Sequence, residues 1–183
     1  MEGYSVRVVT LSGLPGTGTS TAAKRLMKAT GFQYVNTGAI FREMAAERGM
    51  SLEEFGRLVS LDPKVDRELD DRQLAYIRRP DQIVEGRLAG WVRHENQVPG
   101  LSVWLEAPLE VRAGRVSGRD LQSLEQAKKA ILEREATERN RYLEFYGYDL
   151  FDTSIYDLVL DSHELTPGPI VERILDAMKK RTP

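Results

Sequence analysis

Eight residues restrict this chain more than any others. Gly13-Leu14-Pro15-Gly16-Thr17-Gly18-Thr19-Ser20 stands directly behind the β-branched run Val6-Arg7-Val8-Val9-Thr10-Leu11. Ahead of it lies a segment, Thr19 to Ala29, whose small and apolar residues at Ala22, Ala23, Leu26 and Met27 have helical spacing. The order is therefore buried strand, glycine-rich turn, helix. Glycine adopts positive φ without a Cβ clash, so such a turn can aim successive backbone N–H groups at an anion. The helix behind it adds the positive end of its dipole. Ser20 stands where a hydroxyl would hold a divalent cation, and Thr19 where such loops usually carry lysine. A glycine-rich turn with no ligand is the plain alternative, and the absent lysine is the main argument for it.

The rest of the pattern alternates in the same way. Strand-like runs occupy 32–35, 81–85, 101–105 and 158–160. Helical ones occupy 37–48, 51–60, 63–79, 109–116, 123–146 and 170–179, with Asp62-Pro63 a good helix start and Ser117-Gly118-Arg119-Asp120 a break. Alternation of this kind predicts an α/β fold with a mostly parallel sheet covered on both faces. No repeat or linker divides the 183 residues, so one domain spanning 1–183 is expected. A net charge of −2 gives no electrostatic case for a nucleic-acid partner or an anionic membrane. No run approaches the ~18 apolar residues of a membrane span. The N-terminal segment lacks the pattern of a signal peptide. Without cysteine there are no disulfides, thiolate metal sites or cysteine nucleophiles. A cytoplasmic monomer is the expectation.

Three further groups bear chemistry. In Asn36-Thr37-Gly38-Ala39-Ile40-Phe41-Arg42 a strand end, a hydroxyl, a glycine and an arginine one turn into a helix suit a second, smaller anion. Glu85 ends a buried strand beside the loop, placed to organise metal-bound water, and Arg87 follows it toward the crevice at the strands' C-terminal edge. Arg112, Arg115, Arg119, Arg134, Arg139 and Arg141 flank the break near 117–120, as in a lid closing on a transferring phosphoryl group. Interleaved glutamates make self-pairing an alternative for part of this charge, Arg134 included. His94 and His163 read as surface residues in loops, Trp91 and Trp104 as core.

Taken together, GLPGTGTST, TGAIFREMAAERGMSLEEF, DPKVDRELDDRQ, VEGRLAGW, LEAPLEVRAGRV, the EREATERNRY block and SIYDLVLDS resemble the nucleoside monophosphate kinases, in detail the archaeal-type cytidylate kinases, over residues 6–175. A threonine at the lysine position is a familiar variant there. The resemblance implies a P-loop NTPase fold of three layers, α/β/α, with a five-stranded parallel sheet. An NMP-binding insertion at about 37–80 and a lid at about 117–124 go with it. It implies transfer of the γ-phosphate of ATP, with Mg²⁺, to CMP or dCMP. By position, Gly13, Leu14, Pro15, Gly16, Thr17, Gly18, Thr19, Ser20 and Thr21 would wrap the ATP phosphates, with Ser20 and Glu85 on the metal. Thr37, Arg42 and Arg87 would hold the acceptor's phosphate, and Asp66, Arg72 and Gln73 would read the base. Arg119, Arg139 and Arg141 would be the catalytic clamp. Other acceptors (UMP, AMP, dTMP) and a catalytically silent nucleotide-binding protein are the alternatives. A guanine-binding switch lacks its Asn-Lys-x-Asp stretch.

Overall fold

The computed structural model describes residues 4–180. Five strands, β1 (Val8–Gly13), β2 (Gln33–Asn36), β3 (Gln82–Glu85), β4 (Leu101–Glu106) and β5 (Leu158–Asp161), form one sheet in the order β2-β3-β1-β4-β5. Every pairing is parallel, as the expected α/β architecture requires. Parallel neighbours need crossover helices, which cover both faces and bury the central strands. All six residues of β1 are buried accordingly.

On one face, α1 (Thr19–Thr30) and α8 (Pro167–Lys180) close a core of Val9, Leu11, Leu26, Ile83, Val103, Ile174 and Met178. The other face is covered by α4 (Pro63–Ile77), α5 (Ala89–Glu95) and the C-terminal part of α7 (Leu124–Tyr146), around Ile77, Val84, Trp91, Trp104, Tyr142 and Tyr156. Two satellite clusters sit beyond the sheet. One joins α2 (Thr37–Glu47), α3 (Leu52–Leu61) and α4 through Met44, Phe55 and Leu69. The other joins α6 (Leu109–Asp120) to α7 through Ala113, Val116, Ala127 and Ile131. Local signals fix the helix starts. Ser51 and Glu54 cap α3 reciprocally, Ser123 and Gln126 do the same for α7, and Asp62 accepts from the Lys64 amide ahead of Pro63.

Two expectations are corrected. Ser117–Asp120 is the last turn of α6, not a break; the chain turns at Leu121, whose φ is 53° and which is 93% exposed. His94 lies in the short helix α5, which the apolar pattern did not announce, rather than in a loop.

Candidate active site

A cleft of about 990 Å³ opens at the C-terminal edge of the sheet, between the turn after β1, the ends of β2 and β3, and α4, α6 and α7. Parallel α/β sheets place ligands at this edge.

The glycine turn is held open by its own carbonyls. Gly16 and Gly18 sit at φ 86° and 93°, and a Cβ on Gly16 would lie 2.7 Å from the Arg112 carbonyl oxygen. Arg87 donates to the Gly13 carbonyl. The Leu14 carbonyl accepts from both the amide (3.2 Å) and the hydroxyl (2.8 Å) of Thr17. Arg112 donates to the Pro15 carbonyl at 3.3 Å, and Arg115 to those of Gly16 and Thr17 at 3.3 and 3.4 Å. With these carbonyls drawn to protein donors, with no N–H on Pro15 and with that of Thr17 spent on Leu14, the Gly16 and Gly18 amides are the ones the turn can offer an anion. Arg112 is itself buried against Glu135, so α6 and α7 form the rigid back of the turn.

Glu85 collects four donors. One carboxylate oxygen accepts from the hydroxyls of Thr19 (2.6 Å) and Ser20 (2.7 Å), the other from Tyr34 and, at 2.6 Å, from Asn36. Burial, reinforced by this carboxylate, pushes the Tyr34 phenol up to about 12, so it stays a proton donor. Thr19 thus spends its hydroxyl on Glu85 and contributes no positive charge.

Across the cleft, the Thr37 hydroxyl lies against the Glu85 carbonyl (2.9 Å) and Gln73. The chain comes so close here that a Cβ on Gly86 would lie 2.1 Å from the Thr37 hydroxyl. Arg42 lines the cleft one turn further on. Arg87 donates at 2.7 Å to Glu138, which also takes Arg134 at 2.8 Å. Burial would raise the Glu138 carboxyl, but the two guanidiniums outweigh it and hold it below the usual range.

At the inner wall, between α4 and α7, several buried polar atoms make no hydrogen bond. Asp66 Oδ2, Gln73 Nε2 and Arg141 Nε make no hydrogen bond, and Arg141 Nε lies 3.5 Å from Asp66 Oδ2. Asp66 is 2% exposed and Gln73 1%. Buried polar groups are normally satisfied, so such a cluster at a cleft wall is a candidate ligand surface. Burial pushes neighbouring Asp70 up to about 7; the negative charges of Asp66 and Asp71 add to this, while Arg141 and Tyr146 of α7 oppose it. A carboxyl bound to its proton more tightly in the folded state stabilises fully below the unfolded value, near 3.9, and loses that stability as pH rises to about 7. Asp70→Asn is therefore expected to match the wild type at pH 4 and to exceed it by roughly 2–4 kcal/mol at pH 8. Urea denaturation of the ligand-free proteins at both values checks this; equal stability at pH 8 would refute it.

The structure gathers the other loop residues, Ser20, Glu85, Thr37, Arg42, Arg87, Asp66, Gln73, Arg119 and Arg141 around one cleft, while Thr17, 1% exposed, is turned inward with its hydroxyl and amide on the Leu14 carbonyl. Two further expected residues stand apart. Arg139 is bound to Asp149 at 3.0 and 2.8 Å and lies over the Phe151 ring, and Arg72 grips Glu47 at 2.8 and 2.6 Å and Glu68 at 3.0 Å. Each faces away because a carboxylate on its own side of the helix claims it. Arg141, grouped with the lid arginines in sequence, is instead buried beside Asp66, while Arg119 is exposed and paired with Asp120. Sequence reasoning missed Lys24, Asn36 and Glu138 as cleft residues and Arg112 as a brace. Only the helical spacing of Arg112 and Arg115 had signalled a shared role.

A phosphate-type loop after the central strand, a carboxylate closing the adjacent strand and a second anion arm define a kinase of the P-loop class. Solved structures agree on the fold. A shikimate kinase from Bacteroides thetaiotaomicron superposes with a TM-score of 0.67 at 12% identity, covering 94% of this chain and 98% of its own. A gluconokinase from Sinorhizobium meliloti gives 0.61 at 13% identity, with 96% and 93% covered. The sequence relatives are more specific. The profile of the cytidylate kinase-like family matches residues 8–164. A cytidylate kinase of Pyrococcus abyssi is 48% identical over 160 residues, 87% of either chain, and one of Methanocaldococcus jannaschii is 43% identical over 177 residues, 94% of this chain and 99% of its own. The chain belongs to the cytidylate kinase-like family.

Proposed function

We propose that the protein transfers the γ-phosphate of ATP to CMP or dCMP, yielding ADP and CDP or dCDP. Family membership supports the reaction, and the inner wall carries the choice of base. Cytosine's pairing edge presents an amino donor beside two acceptors, N3 and O2. The atoms of Asp66, Gln73 and Arg141 that make no hydrogen bond are an acceptor and two donors, its complement. Uracil offers acceptor, donor, acceptor, and would leave buried groups unpaired, a mismatch costing orders of magnitude in kcat/KM.

The loop amides and the α1 N-terminus hold the donor's phosphates, while Thr37, Arg42 and Arg87 hold the acceptor's. The acceptor is already an anionic phosphate and needs no strong base, so the protein's work is alignment and charge neutralisation. Arg119 and Arg134, lining the cleft from α6 and α7, neutralise the group in transit. The insertion around α2–α4 carries CMP, and the turn at Leu121–Ser123 is the lid that excludes water. Mg²⁺ prefers one or two protein oxygen ligands together with phosphates and water, a demand met by the Ser20 hydroxyl with Glu85 behind it. When bound, the ion would neutralise phosphate oxygens. No helix among the described residues is long and apolar enough to cross a membrane. The same reading makes the enzyme a cytoplasmic monomer of pyrimidine nucleotide metabolism acting on small molecules.

Initial rates of ADP formation across CMP, dCMP, UMP, AMP and dTMP test the reading. The expected kcat/KM for CMP or dCMP exceeds that for UMP by at least ~100-fold. Asp66→Asn should lower CMP turnover and shrink that ratio. Turnover confined to AMP would sink the cytosine assignment, and no acceptor-dependent ADP at all would favour a silent protein.

A further inference from the structure

Five of the seven cations lining the cleft have a partner among the described residues. Arg87 and Arg134 face Glu138, Arg141 faces Asp66, Arg119 holds Asp120, and Arg115 is spent on loop carbonyls and Ser162. Two lining cations, Lys24 and Arg42, make no hydrogen bond, ion pair or ring contact with the described residues. Arg42 belongs to the acceptor arm with Thr37. Lys24 stands alone on the donor side.

Its placement suits the gap left at residue 19. Lys24 follows Ser20 by four residues and Thr21 by three on α1, so the three share a helix face. Side chains on a helix lean toward its N-terminus, here toward the glycine turn. Four residues of rise amount to about 6 Å, which a lysine's four-carbon stem roughly spans. Thr19, bonded to Glu85, brings no charge, and the end of a helix dipole brings only about half of one. A triphosphate needs more.

We propose that Lys24 supplies the cation the loop lacks: its ammonium reaches back over Ser20 and Thr21 to the β- and γ-phosphates of ATP. This rests on the ATP reading above. The charge is thus delivered from the flank of α1 instead of from the loop, and Thr19 is free to orient Glu85.

Calorimetric titration of ATP in EDTA, without divalent cation, reads the contact directly. Lys24→Ala is expected to weaken ATP binding tenfold or more, with CMP affinity unchanged within twofold. Lys24 is exposed and alanine favours helix, so the variant should keep the wild-type melting temperature. Thr19→Lys in the Lys24→Ala background should restore ATP affinity to within threefold. Unchanged ATP affinity in Lys24→Ala would overturn the assignment, as would a matching loss of CMP affinity or a failure of the second substitution to rescue. Wild-type protein that binds CMP but no ATP would overturn the ATP reading itself and this assignment with it.

Discussion

Arg87→Met is expected to lower kcat by roughly three orders of magnitude or more, the scale on which a charge-neutralising arginine acts in phosphoryl transfer. Arg87 stands between the two anion arms: one nitrogen supports the Gly13 carbonyl, another faces Glu138, and the guanidinium lines the cleft beside Gly86. On the proposed reading its loss would remove a contact to the acceptor phosphate and loosen the first peptide of the donor turn together. Arg87→Lys should recover little, because a lysine's donors share one nitrogen and cannot reach Glu138 and the Gly13 carbonyl from separate arms of a fork. Steady-state kinetics with CMP, alongside thermal melts showing a folded protein, check this. A decrease of less than tenfold would remove Arg87 from the phosphate site.

The largest stability effect is expected at Arg112. Its side chain and that of Glu135 are 6% and 7% exposed, and removing one member of a buried pair strands the other's charge. Arg112→Ala should cost about 3–5 kcal/mol in urea denaturation. Replacing both by apolar residues of similar size, as in Arg112→Met with Glu135→Leu, should return most of that stability. It should not return ATP affinity, because the Pro15 carbonyl would still lack its donor. A double variant that is stable and binds ATP like the wild type would show that α6 does not shape the turn.

The glycine turn and its flanking elements were legible because two local signals coincide there, the change from strand to helix period and the glycine spacing. Helix α5 was not. It has only seven residues and includes Gly90, whose place is set by a distant partner: a Cβ there would come 2.3 Å from the Tyr156 ring. The end of α6 was misjudged since Ser117-Gly118 looks like a breaker, whereas the turn is made four residues on, where Ser117 and Gln122 bond each other's backbone groups and Ser123 caps α7. The arginines show the deepest limit. Their number and general neighbourhood are in the sequence, but whether each meets Glu135, Glu138, Asp149 or Asp66 depends on how α4, α6 and α7 pack. That packing separates Arg139 from the cleft and carries Arg141 to its inner wall.

The guanidinium ties of α6 have a mechanical meaning as well. Arg112 and Arg115 tack the first half of that helix to the glycine turn, so a swing of the whole rod would drag the turn's peptides with it. Val116 is packed against α7 as well, so a closing movement of the kind proposed above would have to come from the last turn alone, which ends in the nearly bare Leu121. It would resemble a clasp with a riveted base, whose short tip could move without disturbing the seat beneath it.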